Sequence, residues 1–183
     1  MDEIRKPTLP DGVSEEEHQE AVAAGIGRYL EGRAAGASHA ELVEAHAADC
    51  NMGRYVMARS FGIPHAESLE VCAEGIRIRV YLETIEAGAS HAELMEARRA
   101  QGVWDDVYLD ALKAGVSHAE IMEAVRAGLL NNRLNLYVEA RESGASHLEV
   151  MEAVARDCLL GSYARARAEG TSHAEALAKS LRD

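Results

Sequence analysis

A six-residue motif recurs along the chain and constrains its fold more than any other feature. The segment GASHAE occupies residues 36–41 and again 88–93. Close copies are GVSEEE at Gly12, GIPHAE at Gly62, GVSHAE at Gly115, GASHLE at Gly144 and GTSHAE at Gly170. Successive motif glycines are 24, 26, 26, 27, 29 and 26 residues apart. Such a period indicates a tandem repeat.

The tyrosines confirm the register of this repeat. Each of the chain's six tyrosines lies seven residues before the next motif glycine, at Tyr29, Tyr55, Tyr81, Tyr108, Tyr137 and Tyr163. A tyrosine repeated in phase favours a core position, with its hydroxyl reaching a backbone group at the rim.

The motif has the chemistry of a joint between two helices. Glycine adopts positive φ just past a helix end, and serine with glutamate three residues later forms a capping box at the next helix start. The predicted boxes are Ser38–Glu41, Ser90–Glu93, Ser117–Glu120, Ser146–Glu149 and Ser172–Glu175. Pro64 replaces the serine in the third copy, where proline suits a helix start.

The pattern predicts an all-α fold, an α-solenoid of about six to seven helix-turn-helix repeats of about 26 residues. Helices of about ten to twelve residues are too short to be stable alone, so each hairpin must pack on its neighbours. Hydrophobic residues make up 48% of the chain but aromatics only 4%, which suits close-packed short helices. We expect an N-terminal tail at 1–11, one repeat domain at 12–183 and about thirteen helices, the first a lone helix near 14–24.

With its GxSHAE joints and Ala-rich helices, the chain resembles αα-hairpin solenoids of the tetratricopeptide, Sel1-like and ankyrin classes. The motif sequence is similar to those of Ala-rich tandem repeats in uncharacterised bacterial or phage proteins. The resemblance covers residues 12–183 and implies a helical repeat fold, without implying an activity.

Charge and hydropathy narrow the possible partners. A formal net charge of −12 disfavours direct binding to nucleic acid or an anionic membrane. The chain has no apolar run of 18 residues and no signal-like N-terminus, so we expect a cytoplasmic protein. Three cysteines without a CxxC pair favour buried thiols rather than a disulfide or zinc site.

The repeated histidines invite a catalytic or metal interpretation. They occupy the first helical position at His39, His65, His91, His118, His147 and His173. The neighbouring serine is used in capping, and equivalent helices about 10 Å apart are too distant to share one ion. We therefore expect each histidine to bond to the neighbouring joint. Since a helix N-terminus disfavours protonated imidazole, acid near pH 5 should weaken the fold.

Two further sets of residues at equivalent repeat positions bear on the protein surface. A second glutamate follows each capping glutamate by three residues, at Glu44, Glu70, Glu96, Glu123 and Glu152, and predicts a solvated acidic face. Four residues after each tyrosine lie Arg33, Arg59, Ile85, Leu112, Arg141 and Arg167, so two central repeats lack the arginine. The only tryptophan, Trp104, and an insertion with Asn131 and Asn132 fall in the same region. This region is either a contact surface or simply an irregularly packed repeat.

The sequence favours a non-enzymatic module that binds a partner protein or peptide on a concave face. The predicted binding residues are Trp104, Tyr108, Ile85, Leu112, Arg59, Arg141, Asn131 and Asn132, and no catalytic residue, cofactor or metal is expected. Two alternatives remain open. One is a protein that encloses a drug or metabolite within the solenoid; the other is an acidic DNA mimic.

Overall fold

The computed structural model describes residues 9–100, 103 and 105–181. Within these residues the regular secondary structure is thirteen α-helices and no strand. The helices are α1 Glu15–Ala23, α2 Tyr29–Ala34, α3 His39–Ala47, α4 Met52–Ser60, α5 His65–Ala73, α6 Ile78–Glu86, α7 His91–Arg99, α8 Asp105–Lys113, α9 His118–Arg126, α10 Asn132–Glu142, α11 His147–Ala155, α12 Leu160–Ala168 and α13 His173–Ser180. The predicted fold class is confirmed as all-α, made of tandem helical hairpins of the α-solenoid type.

After the lone helix α1, two kinds of helix alternate. We call α2, α4, α6, α8, α10 and α12 the tyrosine helices, because each carries one of the in-phase tyrosines. We call α3, α5, α7, α9, α11 and α13 the motif helices, because each begins at a motif histidine. Most helices have nine residues, slightly fewer than predicted, so hydrogen bonds within one helix cannot stabilise it alone.

The predicted capping boxes all form. At α11 the Ser146 hydroxyl oxygen accepts from the Glu149 N–H at 3.3 Å, and a Glu149 carboxylate oxygen accepts from the Ser146 N–H at 2.7 Å. A sixth box, Ser14–Glu17, starts α1 in the degenerate motif copy. Pro64 stands at the N-cap of α5 and supplies no side-chain hydrogen bond. The motif therefore starts a helix wherever the chain repeats it.

The same motif ends the preceding helix. Gly144 has φ +84°, and the N–H of the next residue, Ala145, donates back to the Ala140 carbonyl at 3.1 Å. Ala145 is buried and covers the end of α10. This is the glycine-terminated helix end in which an apolar residue packs over the last turn.

The turn inside each repeat follows the same logic with other residues. Gly75 and Gly128 have positive φ there, and Asp49 and Asp157 take the same conformation at +56° and +55°. Gly102, at the equivalent turn of its own repeat, lies outside the described residues. The residue after each turn is an apolar core residue, and in two repeats that residue is a cysteine: Ile26, Cys50, Ile76, Val103, Leu129 and Cys158.

The helices form two compact units, residues 1–78 and 79–183. In the first unit α2 packs on α4, and α4 on α5. In the second, α10 lies between α8 and α12, and α12 also packs on α13. Tyrosine helices therefore pack side by side within each unit, and Tyr55, Tyr108, Tyr137 and Tyr163 are among the largest fully buried side chains. No described helix is long and apolar enough to cross a membrane.

Candidate functional site

A tyrosine–histidine contact crosses each joint from a tyrosine helix to the following motif helix. The tyrosine hydroxyl lies 2.7–3.3 Å from Nδ1 of the histidine ten residues later, and the rings meet edge-on with centroids 5.6–5.9 Å apart. The pairs are Tyr29–His39, Tyr55–His65, Tyr81–His91, Tyr108–His118, Tyr137–His147 and Tyr163–His173. The hydroxyls thus reach a side chain rather than the predicted backbone group.

The other ring nitrogen faces the preceding repeat. Nε2 of His65, His118 and His173 lies 3.2–3.3 Å from the second glutamate of the preceding motif helix, which is Glu44, Glu96 and Glu152 respectively. His147 approaches Glu123 at 3.1 Å, off the line of a hydrogen bond, so that contact is electrostatic. The histidines were predicted to bond to the neighbouring joint. Their partners are instead a tyrosine and, in these repeats, a glutamate one repeat earlier.

This arrangement holds the repeated tyrosine and histidine side chains in fixed positions. The tyrosine hydroxyl bonds to Nδ1 of the imidazole, and Nε2 of His65, His118 and His173 bonds to a carboxylate, so these polar groups use their hydrogen-bonding capacity on one another. Burial raises the pKa of Tyr55, Tyr137 and Tyr163 to about 12. A phenol with that pKa remains protonated near neutral pH, so these tyrosines are poor nucleophiles or bases there.

Arginine connects successive joints where the repeat supplies it. Arg167 donates to the Thr171 carbonyl of its own joint at 3.1 Å and to the Gly144 carbonyl of the preceding joint at 3.3 Å. Its guanidinium also lies 3.7 Å from the preceding capping carboxylate, Glu149. We call this set of contacts the arginine clasp.

Arginines in three other repeats make all or part of the clasp. Arg59 donates to the Ile63 and Gly36 carbonyls and forms an ion pair with Glu41. Arg141 donates to the Ala145 carbonyl and forms an ion pair with Glu120. Arg33 donates to the Gly12 carbonyl and forms an ion pair with Glu17. The four arginine side chains are only 15–20% exposed. Each guanidinium is therefore part of the fold rather than a free surface cation.

One joint of the second unit has an open cleft and no arginine. The cleft has a volume of about 350 Å³ and is lined by Gly88, Glu93, Leu112, Val116, Ser117 and His118, together with adjacent alanine and glycine residues. We call it the Leu112 cleft. Leu112 stands four residues after Tyr108, where Arg141 and Arg167 stand in the next two repeats. No hydrogen bond to the Gly88 or Val116 carbonyl is found among the described residues.

The predicted binding residues fall in different environments. Tyr108 is buried and bonded to His118, and Arg59 and Arg141 belong to arginine clasps. Leu112 lines the cleft just described. Trp104 lies outside the described residues.

The remaining predicted residues lie on other parts of the second unit. The Ile85 side chain is 37% exposed. Asn131 has φ +47° and a buried side-chain oxygen without a hydrogen-bond partner, and it precedes the exposed Asn132 at the start of α10. The binding role of all eight predicted residues stays a prediction.

The carboxylates of the predicted acidic face are exposed to solvent and also contact histidine side chains. Glu44, Glu123, Glu96 and Glu152 are 64%, 61%, 52% and 45% exposed, while one side of each carboxylate contacts the next histidine. The face is therefore anchored to the repeat and still presents negative charge to solvent.

The three cysteines are free thiols. Burial raises the pKa of the Cys50 thiol and raises the pKa of Cys72 to about 11. No group of three or more histidine, cysteine or acidic residues that could hold a metal ion occurs in the part of the chain that the structure describes.

Sequence reasoning missed the arginine clasp and the tyrosine–histidine pair. Both have a signal in the sequence, namely the constant ten-residue step from tyrosine to histidine and the arginine four residues after the tyrosine. No protein-family model matches the chain, and no curated protein or solved structure is significantly similar to it. The structure therefore supports a helical repeat, but no match identifies which class of helical repeat it is.

Proposed function

We propose that this protein is a non-enzymatic binding module whose partner is a protein or peptide with exposed basic residues. One observation carries the proposal. The repeated side chains that could do chemistry bond to one another across the joints, whereas the acidic face remains exposed. Tyr163, His173 and Glu152 form such a chain, and the Glu152 carboxylate still faces solvent on its other side.

The charge balance supports a basic partner. The chain has 31 acidic and 19 Lys or Arg side chains, and four of the arginines are held in clasps. Exposed carboxylates on the motif helices then supply a field that steers a cationic partner and disfavours an anionic one.

The shape of the clefts supports a macromolecular partner over an enclosed ligand. A cleft of about 450 Å³ between α10 and α12 is lined by Leu136, Glu139, Glu142, Gly161 and Arg165 among others, and it opens to solvent. Its volume lies in the range of small-molecule sites. Such sites bury most of the ligand surface, however, and a cleft that opens to solvent would leave much of a small ligand exposed.

Native mass spectrometry of the tagged full chain, purified gently from its source cells, tests the proposal. We expect a bound protein or peptide that is released as salt rises, because screening weakens contacts between exposed charges. The double variant Glu96→Gln and Glu123→Gln should retain less partner, since it removes two charges but keeps hydrogen-bonding oxygens. Arg126→Gln, which removes an exposed positive charge instead, is the matched control.

Two results would contradict the proposal. A bound mass of a few hundred daltons would instead support the ligand-enclosing alternative. A partner that itself binds DNA, and that DNA displaces competitively, would support the mimic.

A further inference from the structure

We propose that the Leu112 cleft is a receptor site for one arginine side chain of the partner protein. The guest guanidinium would take the place that an arginine of the chain itself occupies at the clasped joints. This inference rests on the proposed function, because it names the side chain by which one subsite recognises the basic partner.

The repeat itself provides the template for the guest. At the last joint, Arg167 contacts the Thr171 carbonyl, the Gly144 carbonyl and the Glu149 carboxylate. The equivalent positions at the Leu112 joint are Val116, Gly88 and Glu93, and all three line the cleft. The acceptors of a clasp are therefore present where the donor is absent.

Leucine at position 112 explains why no guanidinium of the chain occupies this place. Its side chain ends at about the position where the aliphatic stem of an arginine meets the guanidinium. Leu112 can thus replace the packing of the stem while leaving the two carbonyls and the carboxylate without the planar donor. The half-buried leucine also gives the guest an apolar surface to lie against.

The electrostatics of the cleft favour a cation. The N–H and hydroxyl of Ser90 both donate to the Glu93 carboxylate, which lowers the pKa of Glu93 and keeps it charged. None of the described residues that line the cleft is a lysine or arginine. The corresponding cleft of the first unit, by contrast, is lined by both Arg33 and Arg59.

His118 is the other titratable group in the lining. Its two ring nitrogens are engaged by the Tyr108 hydroxyl and the Glu96 carboxylate, so neither is free to bond to a guest. Two carbonyls beside a carboxylate suit the planar five-donor fork of arginine better than the compact ammonium of lysine.

The test is a titration of the ¹⁵N-labelled full chain with a blocked glycine peptide that carries one central arginine. We expect saturable amide shifts at Ala89 and at 116–118. Citrulline in place of arginine should bind at least about tenfold more weakly, because it keeps the shape but removes the charge. A lysine peptide should fall between them.

Three variants locate the site. Leu112→Arg should fill the cleft from within and abolish the shifts. Glu93→Gln should weaken binding about tenfold while keeping the cap, because glutamine also completes a capping box. Glu120→Gln makes the same change at the joint that Arg141 already clasps, and it should leave peptide binding unchanged. If Leu112→Arg fails to fold, the glutamine pair decides.

Several outcomes would overturn the proposal: no saturable shift, shifts centred away from the cleft, citrulline binding as tightly as arginine, or equal effects of the two glutamine variants. Methylguanidinium alone binding as tightly as the peptide would assign the cleft to a small guanidinium compound and reject the protein partner. If the cellular partner binds the wild type and Leu112→Arg equally, the arginine site fails while the proposed binding function stands. If the peptide binds at the cleft but no cellular partner is found, the arginine site stands and the proposed binding function fails.

Discussion

The joints at Arg141 and Leu112 lie in the same compact unit and share the same motif, yet only the first contains a clasping arginine. Arg141 pairs with the Glu120 carboxylate at 3.3 Å and reaches the Ala145 carbonyl at 3.4 Å. At the other joint, Leu112 and the three equivalent acceptors line an open cleft. Tyrosine–histidine pairs are present in both, at 2.7 Å for Tyr137–His147 and 2.8 Å for Tyr108–His118.

The comparison separates two roles within one repeat. Capping and the tyrosine–histidine pair are common to both joints and belong to folding. The arginine position varies, and its loss leaves backbone helix ends intact because the capping box at Ser117 still forms. A repeat protein can thus alter one joint for binding without losing the local structure that the joint encodes.

Acid should have the largest effect, because it acts on both kinds of joint at once. Hydrogen bonds from the N–H groups of Ser90 and Ser146 hold the pKa of Glu93 and of Glu149 below the ordinary 4.5. A carboxyl whose folded-state pKa is lowered stabilises the fold fully above its unfolded pKa and loses that contribution as pH falls through the folded value. Thermal unfolding followed by circular dichroism should show a constant midpoint down to about pH 4.5 and a steep fall below it.

A second variant assigns that fall to the caps. Glu149→Gln keeps a capping side chain without a titrating carboxyl, so its midpoint should depend less on pH in this window. A midpoint that declines already above about pH 5 would instead indicate that the histidines control acid stability, as the sequence alone suggests.

Arg141→Leu should have the largest effect of any single substitution, because it turns the clasped joint into a copy of the Leu112 joint. We expect a loss of about 2 kcal/mol in the free energy of unfolding in urea, since partly buried hydrogen bonds to a charged group are removed. The control is Arg126→Leu, whose side chain is 68% exposed and should change stability by no more than about 0.5 kcal/mol. Equal effects would mean that the clasp does not stabilise the fold.

Tyr137→Phe and Tyr108→Phe should each cost about 1 kcal/mol, because each leaves a histidine Nδ1 without its hydrogen-bond partner and keeps the ring. The two losses, measured by urea unfolding, should agree within error, because the pair is common to both joints. A clearly larger loss at Tyr108 would show that the Leu112 joint depends more on its remaining contacts.

Leu112→Arg should have the smallest effect, a gain of about 0.5 kcal/mol, because the new contacts must offset the ordering of a long side chain and the lost packing of leucine. Carbon-detected titration of Glu93 should show its pKa fall further below 4.5 as the new guanidinium approaches. A rise in that pKa, or a loss of stability, would show that the cleft cannot accommodate a guanidinium.

Much of the fold could be predicted because its signals are local. Ser146 and Glu149 are three residues apart, and a capping box needs no other part of the chain. The positive φ of Asp49 and Asp157 is harder to predict from the sequence, since aspartate adopts that conformation less readily than glycine. The buried sulfur of Cys158 follows from its position after such a turn, where other repeats have isoleucine or leucine.

The candidate site depended on distances that the sequence does not contain. The sequence by itself determined the period, the caps and the identity of the arginine that two repeats lack. Only the tertiary structure decided what that arginine binds, because Arg167 meets Gly144 and Glu149 across the packing of one repeat on the next. It also decided that the histidines bind tyrosine and glutamate rather than a neighbouring joint. Local patterns specify where helices begin and end, whereas the partners of long side chains are set by how those helices pack.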